Sequence, residues 1–219
     1  MQRNLVPLLS TRSVVLWGAM LLALVLLVLA MGTSAKPADA ATRIVTRSFH
    51  NTNQITIPAN TGTSASFPYP SNISPTFPKG TKVRDVNVTL RNYTHTFPDD
   101  VDVLLVHAGT NRTIMSDAGG SLAANNITIR LDDEASNGLL PDFGQLTAGA
   151  FKPTNHPSST DNFPFPAPSP ASAGTSLGAF DTLNARGAWK LFVVDGFPPT
   201  ESGRFAGGWT VTIKAAVPQ

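Results

Sequence analysis

The 219-residue chain contains no cysteine, which excludes a disulfide scaffold, a thiolate metal site and a cysteine nucleophile. Its 17 glycines, 18 prolines and 14% charged residues indicate a turn-rich β protein rather than a helical bundle. Of the 16 basic and 14 acidic residues, Arg3, Arg12, Lys36 and Asp39 lie in the first 40, so the remainder carries 13 of each and lacks the positive charge typical of nucleic-acid binding.

The N-terminal segment is basic at its start and apolar from Val14 to Gly32. We expect an apolar helix here, since 19 residues at about 1.5 Å each nearly match a bilayer core of roughly 30 Å. Small residues follow, with candidate cleavage points after Ala35 and Ala40, so residues 1–40 are predicted to be either a signal peptide or an uncleaved membrane anchor. Either form exports residues 41–219 and predicts a secreted or extracytoplasmic protein.

Alternating apolar residues predict five strands in the exported region. In chain order these are VRDVNVTL (83–90), VDVLLV (101–106), NITIRL (126–131), WKLFVVD (189–195) and WTVTI (209–213). The second is apolar on both faces near its end, which indicates a central strand. Because turn residues separate the strands and no window fits an amphipathic helix, we predict an all-β, antiparallel sandwich. The predicted core comprises Val86, Val88, Leu90, Val103, Leu105, Ile129, Trp189, Leu191, Val193, Trp209, Val211 and Ile213.

Two turn-rich stretches interrupt the strand pattern. Residues 60–80 are predicted to be a connection between strands. Residues 158–174 are rich in Pro, Ser and Ala, and proline cannot donate to a sheet ladder. We therefore predict an exposed, Pro-rich insertion at about residues 154–174.

Five motifs carry a resemblance to a known domain family: DVNVTL, THTFPDDVDVLLV, DDEA, GAWKLFVVD and GGWTVTI. In this order they resemble the P domain, or P/Homo B domain, which follows the catalytic domain of kexin- and furin-like and bacterial subtilisins. The resemblance spans residues 44–213 and implies a jelly-roll-like, galactose-binding-like β-sandwich with a regulatory or stabilising role beside a protease. The chain departs from the family in having no subtilisin domain before this region, in its Pro-rich insertion, and in HAGT (107–110), which lacks the family's proline.

Acidic residues flank two of the predicted strands. Asp99, Asp100 and Asp102 precede and enter one strand, and Asp132, Asp133 and Glu134 follow another. Calcium takes six to eight oxygen ligands, so neighbouring loops at one end of a sandwich could bind it. The predicted calcium ligands are Asp100, Asp102, Asp132 and Asp133. The alternative is that these acids are solvated charges that keep strand ends soluble.

Other features argue against catalysis. A Gly-Thr-Ser triplet ending at Ser176 superficially matches a subtilisin nucleophile turn, but none of the four histidines lies in the sequence context of a catalytic base.

Trp189 and Trp209 are predicted to be core residues, with a sugar-stacking platform as the alternative. The sequence therefore favours an exported, non-catalytic P-domain protein that binds or stabilises a partner protein, with a subtilisin-like protease as the expected partner. The alternative is a free-standing surface module that recognises a glycan or another envelope component.

Overall fold

The computed structural model describes residues 41–59, 63–156, 161–172, 174–197 and 200–219. The predicted apolar helix and the rest of the targeting segment, residues 1–40, lie outside the described residues. Within the described ranges, no helix has both the length and the apolar character needed to cross a membrane.

The described residues form thirteen strands and two short 3-10 helices. In chain order the strands are β1 Thr42–Asn51, β2 Ile55–Ile57, β3 Ser64–Ala65, β4 Ser71–Ile73, β5 Lys82–His95, β6 Val101–His107, β7 Thr110–Ser116, β8 Ala124–Leu131, β9 Gly149–Phe151, β10 Thr154–Asn155, β11 Trp189–Asp195, β12 Gly203–Phe205 and β13 Trp209–Pro218. The 3-10 helices are Pro98–Asp100, directly before β6, and Leu177–Phe180.

These strands form two sheets. The first has the order β1-β13-β5-β12-β2, with β8 also paired to β5 and β9 to β8. The second has the order β10-β7-β6-β11-β3, with β4 also paired to β11. The long strands pair antiparallel, while the short β9 and β10 pair parallel with β8 and β7. The predicted all-β class and the predicted central position of β6 are therefore confirmed.

One apolar core fills the space between the two sheets. It contains alternate residues of β5 and β13 from the first sheet and of β6 and β11 from the second. All twelve predicted core residues are buried, and Trp189 and Trp209 are fully buried. The tryptophans are therefore core residues, and neither forms an exposed sugar-stacking surface.

The Pro-rich insertion corrects one sequence prediction, because it is exposed only in part. Phe163 and Ala167 are buried against the outer face of the second sheet, together with Leu104 of β6 and Phe192 of β11. The hydroxyl of Tyr69 donates to the carbonyl of Pro164 at 3.0 Å. Since β6 and β11 are apolar on both faces, their outer face needs a cover, and the insertion provides it.

Candidate functional site

Three loops meet where the first 3-10 helix leads into β6. The carboxylate of Asp99 accepts a hydrogen bond from the Gly120 amide at 3.3 Å, which brings in the loop after β7. The carbonyl of Asp100 accepts from the Gly196 amide at 2.7 Å, which brings in the loop after β11. We call this region, with Asp102, Asp117, Asp161 and Asp195, the acidic end of the domain.

Three carboxylates surround one hydroxyl at the acidic end. The Ser116 Oγ lies 2.8 Å from Asp102 Oδ1 and 2.8 Å from Asp161 Oδ1. It also lies 3.1 Å from Asp117 Oδ2. Ser116, Asp102 and Asp117 are all buried. A serine hydroxyl has one proton, so it donates to only one of these carboxylates. The oxygens of the other two carboxylates then face the serine oxygen. Two acceptors repel each other unless a proton or a cation lies between them.

A second buried group lies beside this cluster. Asp195 and His95 are fully buried, with Asp195 Oδ2 3.4 Å from His95 Nε2. Asp195 Oδ1 accepts from the Phe197 amide at 3.2 Å, while Oδ2 has no hydrogen-bond partner within the described residues. A buried carboxylate oxygen without a hydrogen bond is energetically costly. Asp195 Oδ2 can therefore accept a further hydrogen bond or coordinate a cation at the acidic end.

Burial and mutual repulsion raise the pKa values of three carboxyls at the acidic end, those of Asp100, Asp102 and Asp161. Burial, with the negative charge of Asp195 next in importance, raises the pKa of Asp100 to about 7. Burial first, and then the charge of Asp161, raises the pKa of Asp102 well above its usual range. The pKa of Asp161 is also raised, chiefly by burial. These three carboxyls therefore keep their protons to higher pH than free carboxyls do when no cation is bound.

These pKa shifts predict how stability depends on pH. Because the carboxyls of Asp100 and Asp102 hold their protons to higher pH in the folded state than in the unfolded chain, stability in a chelator should fall as the pH rises from about 4 towards about 7. Urea unfolding of residues 41–219 across this range, in a chelator, measures the effect. In Asp102→Asn the fall should be shallower. A stability that rises with pH throughout this range would contradict the assigned environment of these acids.

The acids after β8 lie at the other end of the first sheet. Leu131 pairs with Val88 on β5, whereas the acidic end adjoins His95, seven positions further along β5, or roughly 23 Å. Asp132 Oδ2 pairs with Arg130 Nη2 at 2.7 Å. The expected meeting of Asp100 and Asp102 with Asp132 and Asp133 is therefore not observed. The pairing register explains this. Because β8 runs antiparallel to β5, its last residue lies beside Val88 and its first beside His95, so Asp132 and Asp133 are at the end of the sheet opposite the acidic end.

Asp133 has a structural role instead. Its carboxylate accepts from the hydroxyl of Ser176 at 2.7 Å and from the amides of Leu177 and Gly178 at 3.1 and 2.9 Å. These amides begin the second 3-10 helix, whose first N–H groups need such partners. Ser176 also accepts from the Gly178 amide at 3.2 Å. Asp133 and Ser176 thus cap this short helix together.

The histidines make contacts of a structural kind. His107 is buried, stacks on Trp189 with ring centres 3.9 Å apart, and places its ring nitrogens against the carbonyls of Ala188 and Asn184. His50 contacts the hydroxyl of Thr210. Neither arrangement brings a histidine to the hydroxyl of Ser176.

Sequence reasoning missed three acids of the acidic end. Asp117 directly follows β7, and Asp195 ends β11, so each has the same signal as Asp102: an acid at the end of an apolar strand. Asp161 lies in the Pro-rich insertion, where no periodic pattern marks it. In the described ranges, no three acidic or histidine side chains have the arrangement of a formed metal shell. The Ser116 hydroxyl instead lies among the three carboxylates.

Comparison of the chain with protein-family profiles, curated proteins and solved structures gives no match.

Proposed function

We propose that the chain is an exported, non-catalytic module of the P-domain type, with a jelly-roll-like sandwich, that binds or stabilises a partner protein in subtilisin-type proteolysis. Calcium at the acidic end holds its loops together. The observation that carries this proposal is the Ser116 hydroxyl surrounded by the carboxylates of Asp102, Asp117 and Asp161.

The donor set at the acidic end fits calcium. Calcium prefers hard oxygen ligands, and carboxylates, backbone carbonyls and hydroxyls are all present there. Asp102, Asp117 and Asp161 would bind the ion directly, with the nearby Asp100 adding negative charge. A bound cation relieves the repulsion that raises the pKa of Asp102. It also joins β6, the end of β7 and the Pro-rich insertion through their own side chains.

The contacts of Ser176 support the non-catalytic assignment. Its hydroxyl is bonded to Asp133, a carboxylate that also accepts from two backbone amides. A nucleophile needs a base in reach, and that base needs an orienting group. We expect that a fluorophosphonate probe does not label residues 41–219. Labelling that disappears in Ser176→Ala would overturn this expectation.

Two exposed phenylalanines flank the acidic end and favour it as the partner-binding surface. Phe143 is 82% exposed, and its backbone packs against Gly120, whose amide bonds Asp99. Phe197 is 74% exposed, and its amide bonds Asp195. Large aromatic side chains in water are costly, and at interfaces they often supply much of the binding energy.

The binding of a partner can be tested with a matched pair of variants. The partner to use is a purified subtilisin-type protease from the same organism, with Kd measured by biolayer interferometry. Replacing Phe143 and Phe197 by serine should weaken the Kd tenfold or more, equivalent to about 1.4 kcal/mol. Replacing Ile44 by serine is the control, because Ile44 is 52% exposed and lies opposite Ala216, which pairs with Lys82 at the start of β5, the end of that strand away from His95. An equal loss in the control, or no binding by the parent, would count against this surface.

A further inference from the structure

A polar cavity of about 390 Å³ lies on the outer face of the first sheet, beside the start of β5. Asp85 and Asn87 line it and alternate with the core residues Val86 and Val88. Arg130 and Asp132 reach it from the end of β8. The cavity is therefore at the end of β5 opposite the acidic end, and it shares no residue with the acidic end.

A β-bulge adds a charge to this cavity. The pairing of β13 with β5 passes from Lys214 opposite Asp85 to Ala215 opposite Val83, so Arg84 is an extra residue on β5. Successive residues of a regular strand lie on opposite faces, but a bulge breaks this alternation. Arg84 and Asp85 consequently both line the cavity.

The charges around the cavity balance in number. The cations are Arg84, Arg130 and Lys214, and the carboxylates are Asp85, Asp132 and Glu134. Arg130 and Asp132 form an ion pair at 2.7 Å. Asn87 bridges them when its amide oxygen faces Arg130 Nη2 at 3.1 Å and its nitrogen faces Asp132 Oδ1 at 3.1 Å, the orientation that satisfies both groups.

The other four charged groups of the cavity form no ion pair of their own. Across the described residues, no ion pair within 4.0 Å involves Arg84, Lys214, Asp85 or Glu134. One of these groups, Glu134, lies close to Asp132. A hydrogen bond between the two carboxyls is the first cause of the raised pKa of Glu134. Glu134 is thus engaged with Asp132, and Asp85 accepts from the backbone amide of Val86, but each carboxylate has further acceptor sites on its two oxygens. The cavity therefore presents donors and remaining acceptors side by side.

We propose that this cavity binds a neutral saccharide unit of a glycan. A simple anion would meet the carboxylates, and a simple cation would meet the arginines and the lysine, so balanced charge disfavours both. Sugar hydroxyls both donate and accept, and vicinal hydroxyls do so at neighbouring atoms. Lys214 and Arg84 donate to hydroxyl oxygens, while Asp85 and Glu134 accept hydroxyl protons. The volume is at the lower end of the roughly 300–1,000 Å³ found for small-molecule sites, which suits a short saccharide.

The test uses the detergent-solubilised full-length chain on an array of neutral, uronate-containing and sulfated oligosaccharides, followed by titration of the strongest neutral binder. We expect binding to neutral oligosaccharides that persists in a chelator, because the acidic end is not involved. Lys214→Gln with Glu134→Gln should weaken the Kd tenfold or more. The control, Lys190→Gln with Glu201→Gln, keeps the same change of charge at residues outside the cavity and should leave the Kd unchanged.

Three results would overturn the proposal. The first is no binding to any neutral saccharide at millimolar concentration. The second is binding confined to uronate-containing or sulfated glycans, which reports attraction to positive charge alone. The third is neutral binding that the Lys214→Gln, Glu134→Gln variant leaves intact. Both altered side chains are exposed, so equal melting temperatures of the variant and the parent would show that any lost binding is not lost folding.

Discussion

Replacing Trp209 by alanine is expected to lower the free energy of unfolding by about 3 to 5 kcal/mol. Trp209 is fully buried and lies opposite Leu90 in the pairing of β13 with β5. Its Nε1–H donates to the hydroxyl of Ser71 at 3.0 Å, so the substitution removes a large apolar surface and also a buried hydrogen bond. Urea unfolding of residues 41–219 measures the loss.

An exposed phenylalanine provides the matched control for this substitution. Phe165 is 94% exposed, so Phe165→Ala should change stability by no more than about 0.5 kcal/mol. Equal effects of Trp209→Ala and Phe165→Ala would mean that the register assigned to β13 is wrong.

Calcium is expected to stabilise the domain by about 2.7 kcal/mol when its free concentration is 100 times the dissociation constant. For a domain of this size the gain corresponds to a rise in melting temperature of about 5 to 11 °C. The physical reason is the crowding of Asp102, Asp117 and Asp161 around Ser116, which a divalent cation relieves only in the folded state. Thermal unfolding of residues 41–219 in millimolar calcium and in a chelator measures the difference.

Two double variants locate the effect. Asp102→Asn with Asp161→Asn should remove most of the calcium-dependent shift. Asp132→Asn with Asp133→Asn should retain it, although loss of the cap on the second 3-10 helix will lower stability in both conditions. A calcium-dependent shift lost only in the second variant would place the ion at the opposite end of the sheet. Asp132 and Asp133, two of the four ligands predicted from the sequence, lie there.

The strands and the core could be predicted from the sequence because both depend on local alternation. Val86, Val88 and Leu90 face the core, as a period of two requires. The doubly apolar pattern of β6 correctly predicted a central strand. The cover on its outer face was not predicted: the Pro-rich insertion was expected to be exposed, because no periodic pattern marks Phe163 and Ala167 as buried residues.

The grouping of the acids could not be predicted, because it depends on contacts between residues distant in sequence. Alternation marks Asp102 and Asp132 as acids at strand ends, but only the antiparallel pairing of β8 with β5 sets which ends meet. Asp161 reaches Ser116 because Phe163, two residues later, packs on the second sheet. Its place in the cluster is therefore a result of tertiary packing, for which a Pro-rich stretch carries no periodic signal.

A crystal structure of residues 41–219 grown with calcium tests the central claim most directly. The account predicts an ion bound by carboxylate oxygens of Asp102, Asp117 and Asp161 at about 2.3 to 2.6 Å, with the Ser116 hydroxyl no longer enclosed by three acceptors. Carboxylates that keep their hydrogen bonds to Ser116 at saturating calcium, with no ion among them, would contradict it. So would an ion held instead by Asp132 and Asp133.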